Sequence, residues 1–272
     1  MDPIRVTVRR GGVVESVHRV HVARSDGIER GEDLIFLLRS SAKPVQAMPL
    51  VEAYDDLDDD EIAIACASHR ADPAQLAAVR KLLARAGATV DDLENGPQQG
   101  RPEGSLGHNC SGKHAGMLAA CRANHWPFAG YHLSEHPLQR RIHELVGSDE
   151  TAIDGCGLPT YATSLTQAAN FLQRVPPRIS DAMRALPELI AGPGSADTEL
   201  MRFRPGWLAK SGAEGLLCAV SPDGHGLALK VEDGATRAMM PALGWVFETE
   251  ELAVHELRNS LGEIVGSVTA EA

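Results

Sequence analysis

Two stretches of alternating apolar and polar residues, one towards each end of the chain, constrain its fold more than anything between them. Over residues 4–38 β-branched side chains alternate with polar ones, and the pattern breaks at Gly11-Gly12 and at Ser25-Asp26-Gly27. Period-two alternation with short turns predicts an antiparallel strand meander, whose last strand, Leu34-Ile35-Phe36-Leu37-Leu38, runs directly into Arg39. The alternation returns over 215–220 and 227–231, joined by a turn at Pro222-Asp223-Gly224, and a final strand is expected over 261–268.

The middle of the chain reads as helical. Asp58-Asp59-Asp60-Glu61 stacks negative charge where a helix dipole favours it, ahead of Ile62-Ala63-Ile64-Ala65-Cys66, and is expected to be a solvated helix end. Asp72-Pro73 opens an Ala/Leu-rich helix reaching about Gly87, and further helices are predicted over 111–124, 137–146, 161–175, 180–190 and 236–247. Strands at both ends with helices between them predict the α+β class: one antiparallel sheet from both chain ends, packed with a helical layer. With no repeat and no low-complexity linker, residues 1–272 are expected to form a single domain, the loop over 93–107 being the nearest candidate boundary.

Composition narrows the partners. A net charge of −11 without any Lys/Arg-rich run argues against nucleic acid and against an anionic membrane, and leaves a small neutral or zwitterionic ligand. No apolar run approaches the roughly 18 residues of a membrane span. Met1-Asp2-Pro3-Ile4-Arg5 lacks the layout of a signal peptide, so a cytoplasmic location is expected. Five cysteines, an odd number scattered along the chain, suit free thiols or a metal site better than a disulfide framework.

Chemistry concentrates first at Arg39-Ser40-Ser41-Ala42-Lys43-Pro44, where an apolar strand gives way to a helix. Ser40 and Lys43 are spaced to share a helical face, and a serine hydroxyl needs a neighbouring base, so Ser-x-x-Lys reads as a serine acyl-transfer site. A helix opened by Ser40 would also place its oxygen near the positive end of the dipole. Further clusters are Cys66-Ala67-Ser68-His69, Asn109-Cys110-Ser111-Gly112-Lys113-His114, Asp154-Gly155-Cys156-Gly157 and Lys230-Val231-Glu232-Asp233-Gly234. Taken singly, each has an ordinary structural explanation: a cap, a buried thiol, a solvated strand lysine.

Together with Gly11-Gly12-Val13-Val14-Glu15-Ser16-Val17-His18, Ala191-Gly192-Pro193-Gly194 and Lys210-Ser211-Gly212-Ala213-Glu214-Gly215, these ordered segments resemble the class 3, or rhizobial-type, L-asparaginases, a serine- and zinc-containing family. The resemblance runs through nearly the whole chain. It implies a fold similar to the serine β-lactamase and glutaminase fold, a homodimer, and conversion of L-asparagine to L-aspartate and ammonia. It implies Ser40 with Lys43 as nucleophile and base, Ser68 with Lys230 as a second pair, and zinc on Cys110, Lys113 and Cys156. Arg39, His114 and Asp154 would line the substrate site, Asp154 facing the α-amino group. A glutaminase or β-lactamase-like serine hydrolase, or a non-catalytic zinc- or amino-acid-binding relative, is the alternative. Lys43 as base and Lys113 as ligand both require an amine whose ordinary pKa of about 10.4 has been overcome. The chain departs from the family pattern at Arg70-Ala71, where a small residue and glycine commonly follow Ser-His, and in a short segment between Gly244 and Gly262.

Overall fold

A computed structural model describes residues 1–101 and 103–271. Its strands are β1 (Ile4–Arg10), β2 (Val13–Arg24), β3 (Gly27–Arg30), β4 (Ile35–Leu37), β5 (Thr151–Ile153), β6 (Pro159–Ser164), β7 (Leu208–Gly212), β8 (Leu216–Val220), β9 (Gly226–Val231), β10 (Val254–Arg258) and β11 (Ile264–Glu271). The helices are α1 (Lys43–Gln46), α2 (Met48–Ala53), α3 (Asp59–Cys66), α4 (Pro73–Ala86), α5 (Ser111–Ala123), α6 (Pro137–Val146), α7 (Leu165–Phe171), α8 (Pro177–Ala185), α9 (Pro187–Ile190), α10 (Ala196–Phe203), α11 (Met239–Val246) and α12 (Glu250–Ala253).

The expected α+β class is what the chain adopts. Both chain ends meet in one antiparallel sheet of order β10-β11-β1-β2-β9-β8-β7, with β3 on β2. Register is fixed where the ends meet: Val6 stands between His18 and Ala270, and Val20 faces Val231. A slip of one residue would turn Val6, Val8, Val20 and Val22 out of the core, so burial itself holds the pairing. Strands β8 and β9 are buried on both faces and read as unbroken apolar runs, Leu-Leu-Cys-Ala-Val and Leu-Ala-Leu, because helices cover them.

Four expectations need correction. Strand β4 does not extend the terminal sheet but pairs with β6, which also pairs with β5, in a separate three-stranded sheet. The helix expected over 161–175 begins as strand β6, since Tyr161, Thr163 and the preceding Pro159 favour an extended chain. Helix α7 starts only after Ser164 and Gln167 form a capping box. The helix expected over 180–190 is broken at Pro187, which lacks an amide hydrogen and forces Leu186 out of helical geometry. Strands β5, β7 and β10 lie outside the expected set.

The acidic run behaves as a helix end. Asp58 and Glu61 form the capping box of α3. Lys81 and Arg85 on α4 take up the charge, at 2.8 Å to Asp60 and 2.7 Å to Glu61. Helix α5 is the central helix of the layer, buried from Ser111 to Cys121. It approaches α3 closely because Gly112 has no side chain: a Cβ there would lie 2.2 Å from the carbonyl oxygen of Ile64. No helix among the described residues is long and apolar enough to cross a membrane.

This contact gives a direct test. Gly112→Ala must push backbone away from backbone and is expected to cost about 2 kcal/mol or more, read from urea unfolding midpoints. An unchanged midpoint would show that α5 does not need this approach to α3.

Candidate active site

Strand β4, held by β6, delivers the chain to Arg39, whose φ of +49° lies in a region that non-glycine residues rarely occupy. The conformation is held from both sides. The Arg39 amide donates to Thr160 Oγ1 at 3.0 Å, and its Nε donates to Asp154 Oδ1 at 2.6 Å. Residues Arg39–Ala42 form a 3-10 turn, and α1 begins only at Lys43 and lasts four residues. Ser40 therefore does not open an α-helix, and a dipole this short gives its oxygen little help. The half-buried Ser40 hydroxyl has no hydrogen-bond partner among the described residues. Its neighbour Ser41 is buried and donates to the carbonyl of Lys210 on β7 at 3.2 Å, tying the turn to the sheet edge.

Lys43 is fully buried, and its amine has three near neighbours: Ala67 O at 2.5 Å, Ser68 Oγ at 3.1 Å and Asn109 O at 3.4 Å. Burial pushes its pKa down to about 8; Cys110 and Cys156 oppose that fall, and the charges of Lys113 and Lys210 reinforce it. The two carbonyls can only accept hydrogen bonds. A neutral amine at this position would give its two hydrogens to them and turn its lone pair towards Ser68 Oγ. The serine engaged by Lys43 is thus Ser68, twenty-five residues along the chain, rather than Ser40. A buried amine must satisfy its hydrogens, and the carbonyls at the end of α3 and ahead of α5 draw it away from its own turn.

Lys230 on β9 also departs from the expected pairing. Its amine donates to the carbonyls of Glu214 at 2.7 Å and Val231 at 2.5 Å, lies 6.0 Å from the centre of the Phe36 ring, and makes no hydrogen bond to Ser68. Burial lowers its pKa while Glu214, Asp233 and Glu232 oppose the shift.

The three expected metal ligands converge. Cys110 caps α5, Lys113 lies in its first turn, and Cys156 sits in the tight turn after Asp154; all three are buried. The Lys113 amine is 3.3 Å from Cys156 Sγ. The neighbouring Cys156 side chain holds Cys110 well below the usual thiol range despite its burial, helped by the Lys43 and Lys113 charges and by His108. Cys110 in turn, with burial, pushes Cys156 up. Burial disfavours the Lys113 ammonium, yet Cys156, Cys110 and Asp154 together raise its pKa. The donor set fits zinc: two sulfurs and an amine nitrogen gather where neighbouring ligands of a tetrahedral ion would stand roughly 3.5 Å apart. Metal binding would release the protons of Lys113 and Cys156. Asp58, Asp60 and Glu61 also lie within reach of one another, but Lys81 and Arg85 already engage them.

His114 follows Lys113 and is fully buried, which holds its pKa well below the usual imidazole range. The Tyr131 hydroxyl accepts from the Glu94 amide at 2.9 Å and so donates to His114 Nδ1, 2.7 Å away. That leaves the His114 Nε2 hydrogen buried without a partner. Arg39 and Asp154 face each other through one pair of atoms, leaving both terminal guanidinium nitrogens of Arg39 and Asp154 Oδ2 unengaged among the described side chains.

Other supports carried no motif of their own. His69 Nδ1 accepts from the Ala71 amide, so its Nε2 donates to Ser111 Oγ at 2.8 Å, joining the loop after Ser68 to the start of α5. Asp197 and Lys210 form a fully buried ion pair at 3.1 Å beneath Ser211. Their partnership spans thirteen residues with no periodic signal. The departure at Arg70-Ala71 has a structural consequence: Ala71 adopts φ +66°, a conformation glycine takes without strain.

Comparison with known proteins adds one finding to this geometry. No curated protein matches the chain. The family model for L-asparaginase II matches residues 6–270, from the first strand to the last. A match of that extent, over a chain whose sequence brings the buried Lys43, Ser68 and the paired thiols together, shows that the protein belongs to the L-asparaginase II family.

Proposed function

We propose that this protein hydrolyses the side-chain amide of L-asparagine to L-aspartate and ammonia through a serine acyl-enzyme. Family membership supports an amidohydrolase acting on a small molecule. The observation that carries the mechanism is the hydrogen bond between the buried Lys43 amine and Ser68. An amine with a pKa of about 8 is partly unprotonated near neutral pH and can accept a hydroxyl proton.

In this mechanism the Ser40 oxygen attacks the amide carbon, and its proton passes through Ser68 to Lys43. The carbon–nitrogen bond then breaks as the Lys43 ammonium returns the proton, and ammonia leaves. Water attacks the aspartyl ester, gives one proton to Lys43, and the serine oxygen is reprotonated as aspartate departs. The rival assignment, favoured by the direct Lys43–Ser68 contact, has Ser68 itself attack. The free edges of Arg39 and Asp154 suit the carboxylate and ammonium of a zwitterionic substrate. Cys110, Lys113 and Cys156 would hold zinc, which when bound supplies positive charge beside the reacting amide.

Ammonia release from a panel of amino-acid amides should favour asparagine over glutamine. Lys43→Met and Ser68→Ala should each lose at least about a hundredfold in kcat/KM while remaining folded. Intact-mass analysis after acid quench then identifies the nucleophile: an aspartyl adduct retained by Ser68→Ala and absent from Ser40→Ala supports Ser40, and the reverse pattern supports Ser68. Full activity in Ser68→Ala would remove the Lys43–Ser68 pair from the mechanism. Elemental analysis should find zinc bound to the purified protein and lost in Cys156→Ser. Protein that takes up no zinc when it is supplied would overturn the ligand assignment without touching the amidohydrolase reading.

A further inference from the structure

A polar cavity lies beside the candidate active site, and the proposed mechanism leaves it unused. It has a volume of about 360 Å3, and Arg70, Ser195, Ser211, Thr236, Arg237 and His255 form its polar lining. No Asp or Glu lines it. In a chain of net charge −11, two guanidiniums around a cavity without an acid make a local reversal of sign.

The arginines are fixed without being neutralised. Arg70 donates to the carbonyl of Pro193 at 2.9 Å and to Ser195 Oγ at 2.6 Å. Arg237 donates from Nε to His18 Nε2 at 3.0 Å and from a terminal nitrogen to Ser16 Oγ at 2.7 Å. Because His18 accepts through Nε2, its proton lies on Nδ1 facing Asp233, 2.6 Å away. The imidazole thus stands between Arg237 and that carboxylate. Neither arginine has a carboxylate partner among the described residues. Each guanidinium keeps three of its five N–H donors unspent, in a fork whose orientation is already set.

We propose that this cavity is a binding subsite for a small oxyanion, a carboxylate or phosphate group, received by Arg70 and Arg237. Pre-set forks lose little freedom on engaging an oxyanion, and two donors reaching one group give geometric selectivity. The cavity lies against the reaction site on two sides. Arg70 is two residues beyond Ser68, and Gly212 packs so closely on the turn carrying Ser40 that a Cβ there would lie 2.7 Å from Leu38 O and 2.9 Å from Ser41 Oγ. The oxyanion can therefore come from the second carboxylate that hydrolysis creates on the product, or from a free anion held beside it.

The test measures binding directly, so it stands apart from the catalytic reading. Calorimetric titration of the full chain with inorganic phosphate and with succinate, at low ionic strength, should show binding of at least one probe. Arg70→Gln should weaken it by about tenfold or more, the loss of one charged hydrogen-bonding partner, while Arg70→Lys retains part of it. Thermal unfolding checks that the exposed substitution leaves the fold intact. Competition between the bound probe and L-aspartate would assign the subsite to the product's side-chain carboxylate; simultaneous binding would assign it to a separate anion. Absence of binding by both probes at millimolar concentration, or equal binding by Arg70→Gln, would overturn the proposal.

Discussion

One buried amine organises this molecule. Lys43 lies where α3 ends, where α5 begins and where the turn after β4 enters α1, and each of these supplies something it needs. Taking its amine out of water lowers the pKa from 10.5 to about 8, roughly 3 kcal/mol against the protonated form. The structure tolerates that cost because two carbonyls and one hydroxyl meet the nitrogen. The same burial is what would let this amine serve as the base of the proposed mechanism.

The rest of the fold serves to bring distant segments to that point. The terminal sheet fixes the edge strand β7 against the Ser40–Ser41 turn, and the small sheet of β4, β5 and β6 fixes the strained Arg39 backbone beside Asp154. Gly112 lets α5 come close enough to α3 for Cys110, Lys113 and Lys43 to share one buried region. The electrostatics of that region are collective. Cys110, which raises Lys43, also raises Lys113, and Lys113, which lowers Lys43, also lowers Cys110. A metal replacing protons on Lys113 and Cys156 would therefore change the environment of the base as well as its own ligands.

Much of this was legible in the sequence, and the part that was not has a physical cause. Alternation at both ends announced the terminal sheet because its strands have a period of two, and the Asp58 and Asp72 starts announced α3 and α4 because capping is local. The ordered motifs pointed to residues that the fold gathers, Lys43 with Ser68 and Lys113 with Cys156. They did not reveal which residue touches which. Lys43 meets Ser68 rather than Ser40 because a long side chain seeks acceptors supplied by segments twenty-four and sixty-six residues away. Tyr161 and Thr163 read as helix because a short strand in a three-stranded sheet leaves too few residues for periodicity to speak. Asp197 carried no signal at all, since its partner in charge, Lys210, is buried with it thirteen residues away.

The claim on which all this rests is that Lys43 loses its proton near neutral pH inside the folded protein. Carbon-13 NMR of ε-labelled lysines across pH 6–11, with Lys43→Met to assign the resonance, measures it directly. The account predicts that the resonance absent from the variant titrates at about pH 8. Titration of that resonance at the ordinary lysine value, about 10.4, would contradict it.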